Sequence, residues 1–141
     1  MGNAPGGDHD LYAVLAETAS RERNAEDLAE YAPLAEEAAN LLGHRLHLAI
    51  AHRAWGVAHT LKGDYVEAEA RLAKALEIFE AYPAPWQIGR TLHEIGELKR
   101  LQGDKVGAKE NFSRALRHFE ELRAEPDVRR TRGAVEALGP G

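Results

Sequence analysis

One unit of 25 residues occurs twice in this chain. Residues 56–80 read GVAHTLKGDYVEAEARLAKALEIFE, and residues 96–120 read GELKRLQGDKVGAKENFSRALRHFE, 40 positions further on. A short helical repeat cannot bury its apolar face alone, so each copy must stack on its neighbours. The repeat therefore predicts a stacked array, and arrays of this kind usually act through a surface.

The apolar residues on either side of the Gly63-Asp64 pair follow a helical spacing. They are Ile50, Ala54, Trp55, Ala58 and Leu61 before the pair, and Ala68, Leu72, Ala75, Leu76 and Phe79 after it. This pattern predicts two amphipathic helices joined by a tight turn. Gly63 and its counterpart Gly103 favour the left-handed backbone that ends a helix. The aspartates that follow them, Asp64 and Asp104, are expected to cap the next helix.

Two further glycines, Gly56 and Gly96, lie inside predicted helices, where glycine costs ~1 kcal/mol relative to alanine. We expect close approach of the neighbouring helix, which carries Ala68 or Ala108, to compensate for this cost. Eight residues are therefore predicted to hold the repeats together: Gly56, Gly63, Ala68 and Ala75 in one unit, and Gly96, Gly103, Ala108 and Ala115 in the other.

Helix breakers divide the chain into repeats. Prolines at 83, 85 and 126 mark repeat ends and predict one helical-repeat domain over residues 10–138. Its repeats are expected at about 10–44, 45–84 and 85–125, with a capping helix at 127–138 and flexible tails at 1–9 and 139–141. In the less regular first repeat, a shift of 37 aligns Ala19 with Gly56. Pro33 predicts a kink near residues 29–33.

Composition and motifs narrow the classes of function. The chain has no cysteine, which excludes disulfides and thiolate metal sites. It also lacks an apolar run of the ~18 residues that a membrane span needs, so we expect a cytoplasmic protein that binds no membrane. His44, His47, His52 and His59 have spacings that can share a helix face, but no HExxH pattern is present. We expect no metal, no cofactor and no catalytic residue, because no nucleophile or phosphate-binding motif occurs either.

Charge is distributed unevenly along the chain. The net charge is −5, yet residues 1–44 carry nine acids and two bases, while residues 83–141 carry eleven bases and nine acids. This asymmetry favours self-association by end-to-end or exchanged-helix contacts, although ordinary solvated helix faces would explain it too. Nucleic acid is not expected as a partner, because no strong basic excess is present. The acid pairs Glu36-Glu37 and Glu120-Glu121 are interpreted as solvated charges on outward faces.

The repeated positions resemble those of the tetratricopeptide repeat family. The matching residues are Gly56 or Gly96 in the first helix, Gly63-Asp64 or Gly103-Asp104 at the turn, Ala68 or Ala108 opposite, and then Ala75-Leu76 or Ala115-Leu116. A period of 40 is similar to the extended variety found in bacterial regulators. The resemblance implies an all-α fold, a right-handed superhelical stack of antiparallel helix pairs with about three repeats and a capping helix.

The resemblance also implies a concave groove lined by the first helix of each repeat. Carried over to this sequence, the groove positions are Arg53, Val57, Thr60, Arg90, His93, Glu97, Arg100 and Arg130, with Ile50, Leu61 and Leu101 beside them. The arginines of this set, which we call the arginine row, would suit carboxylates of an acidic partner. The alternative is that they pair with glutamates on adjacent helices.

Three aromatic residues have expected roles. Trp55 is predicted to lie in the core. Trp86 and Tyr82 flank a proline-rich joint and are predicted to join adjacent repeats, the alternative being that they line a contact surface.

These observations favour a non-catalytic scaffold that binds a peptide or protein segment in the groove. The alternative hypothesis is a ligand-sensing or oligomerisation module of a larger bacterial signalling or transcription regulator. An enzyme is the weakest of the three interpretations.

Overall fold

Helices make up nearly the whole of the computed structural model, which describes residues 5–140 and their side chains from residue 10 onwards. Within this range seven helices follow one another without a strand: α1 Pro5–Glu22, α2 Ala25–Leu42, α3 Arg45–Lys62, α4 Tyr65–Ala81, α5 Pro85–Leu101, α6 Lys105–Glu121 and α7 Glu125–Ala137. The all-α fold class predicted from the repeat is confirmed.

The chain divides into two compact units, one ending at Ile78 and the other beginning at Phe79. The first contains α1, α2, α3 and most of α4, and the second contains α5, α6 and α7. A single domain over residues 10–138 stays a prediction. Helix α1 begins at Pro5, a residue whose fixed φ suits a first helical turn, and the flexible tail expected at 1–9 stays a prediction. Residues 1–4 and 141 lie outside the described residues.

The turns inside the helix pairs are spaced by 40 residues throughout. Arg23, Gly63 and Gly103 end α1, α3 and α5 with left-handed φ values of 53°, 84° and 82°. After each of them, the next backbone N–H donates to the carbonyl five residues earlier at 2.9–3.0 Å. The first repeat therefore follows the same period, and the shift of 37 was wrong. The 40-residue period of the first repeat was missed because an arginine stands where the other repeats have glycine. The left-handed conformation costs an arginine ~1–2 kcal/mol.

Helix α2 continues without a break across Pro33, whose side chain is exposed. On the inner side of α2, the nearby Ala32 and Ala35 are buried in the core of the first unit. Placing the proline on the outer face allows water to reach the carbonyl of Ala29, which loses its helical donor. The helix does not restart at the proline, and the kink near residues 29–33 stays a prediction.

Glycines inside the first helices leave room for a large side chain from the second helix. A Cβ atom on Gly56 would lie 2.6 Å from Leu72, and one on Gly96 would lie 2.6 Å from the ring of Phe112. The expected close approach is confirmed, but its main partner is not Ala68 or Ala108. The main partner is Leu72 or Phe112, one turn further along the second helix. Ala68 and Ala108 are fully buried beside this contact.

The ring of Phe119 packs over Gly89 of α5 in the same way, because a Cβ atom on Gly89 would lie 2.7 Å from it. Forty residues after Gly89 and Gly96, helix α7 carries Arg129 and Glu136, both exposed. Charged side chains at these positions leave no recess for an aromatic ring. The capping role expected of α7 stays a prediction.

Substituting Gly96 tests the nesting of Phe112. Gly96→Ala should lower the free energy of unfolding by up to about 2 kcal/mol, because overpacking costs ~1–3 kcal/mol and the gain in helix propensity returns only ~1 kcal/mol. The matched control is Gly133→Ala in α7, where nothing lies within 4 Å of an added Cβ. It should raise stability by up to ~1 kcal/mol. Urea unfolding measures both, and a stabilised Gly96→Ala protein would contradict the nesting.

Candidate functional site

The predicted groove residues lie on the first helices of the repeats, but most of them are buried. Arg53, Val57 and Thr60 on α3, and Arg90 and His93 on α5, expose less than a tenth of their surface. Glu97 is half-buried, and only Arg100 on α5 and Arg130 on α7 are exposed. The buried residues are packed inside the protein, so the accessible part of the arginine row is Arg100 and Arg130.

Arg53 is fully buried and forms an ion pair with Glu17 of α1. Its Nη2 donates to Oε1 of Glu17 at 2.6 Å, and Glu17 itself is mostly buried. Removing either partner would leave a charge in an apolar surrounding, which costs several kcal/mol (~3–5). For Arg53, pairing with a glutamate on an adjacent helix, the alternative raised from the sequence, is the arrangement observed.

Arg90 and His93 belong to a second buried polar group, on α5. Arg90 donates from Nη1 to Glu94 at 3.2 Å, one helical turn along, and both side chains are less than 5% exposed. The Nδ1 of His93 lies 3.0 Å from Oγ1 of Thr131, which joins α5 to α7. Burial lowers the pKa of His93. The charges of Arg90 and Arg130 lower this pKa further, whereas those of Glu94 and Glu97 oppose the decrease. The imidazole is therefore neutral at pH 7.

Arg100 and Arg130 remain at the surface with 45% and 41% of their side chains exposed. Arg100 donates from Nε to Glu97 at 3.0 Å, and Arg130 donates from Nη1 to Asp127 at 3.0 Å. Each acid lies three residues earlier on the same helix. These contacts hold the arginines in place without burying them.

Asp127 also fixes the position of α7 relative to α5. Its Oδ2 accepts a hydrogen bond of 2.9 Å from Nε1 of Trp86, while its Oδ1 accepts from Arg130. The role predicted for Trp86, joining adjacent repeats, is confirmed for the third repeat and the terminal helix.

A polar cluster in the first unit was not anticipated from the sequence. We call it the Glu36 cluster, and it consists of Glu36, His52, Trp55 and Arg71. Glu36 accepts hydrogen bonds of 2.8 Å from Nε1 of Trp55 and from Nη1 of Arg71. Arg71 Nη1 also lies 2.9 Å from Nδ1 of His52, and its guanidinium lies 5.2 Å from the centre of the Trp55 ring. The cluster joins α2, α3 and α4.

The electrostatics of the Glu36 cluster favour a charged carboxylate beside a neutral imidazole. Burial would raise the pKa of Glu36, but the hydrogen bond and charge of Arg71, with the indole N–H of Trp55, outweigh it and lower the pKa. Burial lowers the pKa of His52, and the charge of Arg71 lowers it further. The interpretation of Glu36 as an outward solvated charge was wrong. Trp55 is half-buried at the edge of the core.

The histidines whose side chains the structure describes lie apart from any metal-binding group. Among the side chains that the structure describes, no group of three or more His, Cys, Asp or Glu residues could hold a metal ion. His44 instead caps α3, because its Nδ1 accepts from the backbone N–H of His47 at 3.2 Å, and the two rings stack at 3.7 Å. None of the helices in the described part of the chain is both long enough and apolar enough for a membrane crossing.

Removal of the Glu36 carboxylate should destabilise the first unit. In Glu36→Ala, Arg71 and Trp55 lose their acceptor, and we expect the free energy of unfolding to fall by about 1–3 kcal/mol. The control is Glu37→Ala, the exposed neighbour, which should change stability by less than ~0.5 kcal/mol. Urea unfolding followed by circular dichroism compares the two, and equal effects would argue against a structural role for the cluster.

Acid should destabilise the protein through His52 and His93. The unfolded chain protonates both near pH 6.5, while the folded protein holds them neutral, so stability is fully present above pH 6.5 and falls as the pH decreases. The double variant His52→Gln/His93→Gln should flatten this dependence between about pH 6.5 and 5. Urea unfolding at several pH values measures the slope of stability against pH. An unchanged slope in the double variant would contradict the assignment of the acid effect to His52 and His93.

Comparison with known protein families supports the repeat interpretation. The Tetratricopeptide repeat family profile matches residues 46–121, which is more than half of the chain. The comparison with curated proteins found no match. The family match covers α3, α4, α5 and α6, the helices that contain the Gly56 and Gly96 contacts. On the repeated glycines, the helix pairs and this match, the chain belongs to the tetratricopeptide repeat family.

Proposed function

We propose that this chain is a non-catalytic scaffold that binds an acidic peptide or protein segment. Tetratricopeptide repeats are generally protein–protein interaction modules. The observation that carries the acidic preference is the exposure of Arg100 and Arg130 in the second unit. The other two arginines of the row are buried in contact with glutamates, so the binding surface is smaller than the sequence alone indicated.

The exposed arginines keep donors that a carboxylate can use. The bond of Arg100 to Glu97 uses Nε and neither of its two terminal nitrogens. Arg130 contacts Asp127 through Nη1 only. Guanidinium groups bind carboxylates through two parallel N–H donors, and such charge-assisted bonds are stronger than neutral ones. Because each arginine is already held by an acid on its own helix, less side-chain entropy is lost when a ligand binds.

The charge of the surrounding sequence agrees with this preference. Residues 83–141 carry eleven bases and nine acids, whereas the chain as a whole has a net charge of −5. An acidic segment would therefore be attracted to the part of the chain that contains Arg100 and Arg130, and this attraction would weaken as salt increases.

Selection from a displayed peptide library tests the proposal. We expect the enriched peptides to contain closely spaced Asp or Glu residues, and their affinity to fall about tenfold in Arg100→Ala/Arg130→Ala, a loss of about 1.4 kcal/mol. The control Arg117→Ala/Arg129→Ala removes two other exposed arginines of the same unit and should bind normally. Fluorescence anisotropy with the selected peptides gives the affinities. Enriched peptides without acids, or equal losses in the two variants, would overturn the proposal.

A further inference from the structure

The Glu36 cluster contains hydrogen-bond donors that the fold does not use. Arginine can only donate hydrogen bonds, so Nη1 of Arg71 donates to Nδ1 of His52 as well as to Glu36. The neutral imidazole therefore carries its proton on Nε2. Among the described residues, none accepts a hydrogen bond from this Nε2 or from Nε and Nη2 of Arg71. Because 25% of the Arg71 side chain is exposed, its donors are open to a ligand.

Two further bases lie near His52. The positive charges of Lys74 on α4 and of Arg45 at the start of α3 both act on the imidazole, as the charge of Arg71 does. Lys74 and Arg45 are exposed, and neither forms an ion pair with an acid in the described part of the chain. We call Arg45, His52, Arg71 and Lys74 the basic site.

Glu36 is the acid that offsets these bases, because it is bound to Arg71 and its charge also acts on His52. Two exposed acids of α4 lie further away. Glu67 is at the start of α4, which the antiparallel pairing places at the opposite end of the helix pair from Arg45. Glu77 follows Lys74 by three residues and forms no ion pair with it. The arginines and the lysine of the site therefore exceed its acid by two charges.

An open depression of about 270 Å³ begins one helical turn from the Glu36 cluster. It is lined by Ala39, Asn40 and Gly43 at the end of α2 and by His44, Arg45 and Leu48 at the start of α3. Asn40 follows Glu36 by four residues, and Leu48 precedes His52 by four, so the depression lies on the same faces of the two helices as the cluster. No acid is among the described side chains that line it.

The repeat can hold apolar residues at the positions of this cluster. Forty residues after Glu36, His52 and Trp55, the chain has Leu76, Leu92 and Ile95. Replacing a buried ion pair by apolar residues of similar size is often neutral or stabilising. Packing alone therefore does not require the polar residues of the first unit, and a ligand for their unused donors gives them a role.

We propose that the basic site binds a dianionic phosphoryl group. Such a group carries about two negative charges at pH 7 and three acceptor oxygens, which match the excess positive charge and the unused donors. Nε and Nη2 of Arg71 would bind two of its oxygens side by side, and Nε2 of His52, Lys74 and Arg45 would provide further donors. A carboxylate carries a single charge and would leave one base without a partner. The basic site lies in the first unit and does not depend on the proposed peptide site.

Trp55 provides a direct signal of binding. Its ring lies 5.2 Å from the guanidinium of Arg71, and its Nε1 donates to Glu36, so a ligand on Arg71 should change its fluorescence. The chain has two tryptophans, and Trp86→Phe in the second unit leaves Trp55 as the only one. In this background, titration with sodium phosphate at pH 7 should give a saturable change. Sodium acetate and sodium chloride at the same ionic strength should give none.

Variants of the basic site test which residues bind the phosphoryl group. Arg45→Gln/Lys74→Gln should weaken phosphate binding by about tenfold. The control Arg21→Gln/Lys62→Gln removes the same charge from other exposed positions of the first unit and should bind normally. His52→Leu removes the Nε2 donor and should also weaken binding, whereas His52→Gln keeps one donor and one acceptor and should retain it. Circular dichroism and urea unfolding establish that each variant is folded.

The outcomes separate a phosphoryl site from general attraction of anions. Phosphate that acts no more strongly than chloride, equal losses in the Arg45/Lys74 variant and its control, or normal binding by a folded His52→Leu protein would each overturn the proposal. Inorganic phosphate, O-phosphoserine and adenosine monophosphate carry the same group on different carriers, so the tightest of the three identifies the source. Arg100→Ala/Arg130→Ala should bind phosphate normally, which separates this result from the fate of the peptide site.

Discussion

The nesting of a large side chain over a helix glycine is the contact on which each repeat depends. Leu72 occupies the space above Gly56, and Phe112 occupies the space above Gly96. Once this contact fixes the rotation of the first helix about its axis, the directions of its other side chains follow from the helical period. On α3 it directs His52, four residues before Gly56, toward Arg71 of α4, and Arg53 toward Glu17 of α1.

The same contact explains which part of the fold could be predicted from the sequence. Helices α3 to α6 were evident because glycine at the nesting and turn positions recurs in register. The first repeat has Ala16 and Arg23 at the corresponding positions. Both residues fit the structure, but without glycine they do not reveal the repeat in the sequence. Ala16 is fully buried, so a methyl group is accommodated there because the opposing residue is Ala32 rather than leucine or phenylalanine. A covarying pair of this kind is not visible in one sequence.

The polar residues were predicted less well, for a different reason. Helical spacing gives the direction of a side chain around the axis, but it does not give the depth at which the side chain lies. Arg53 and Arg100 were placed on the same wall, yet only Arg53 has a glutamate from another helix within reach of its guanidinium. A buried arginine needs a paired acid, which Arg53 finds in Glu17 of another helix and Arg90 in Glu94 of its own. Glu36 was misassigned because its two donors come from α3 and α4, far away in the sequence.

Helices α1 and α7 carry side chains of different polarity at the positions that repeat every 40 residues. At the C-terminal end, Arg129 and Glu136 replace the nesting glycines, so α7 presents charge where α5 receives aromatic rings. At α1, by contrast, the stacking positions hold Leu11 and Val14, which are larger and more apolar than the alanines of α3 in the same register. The register is therefore the same in every repeat, whereas the size and polarity of the residue at a given position differ between repeats.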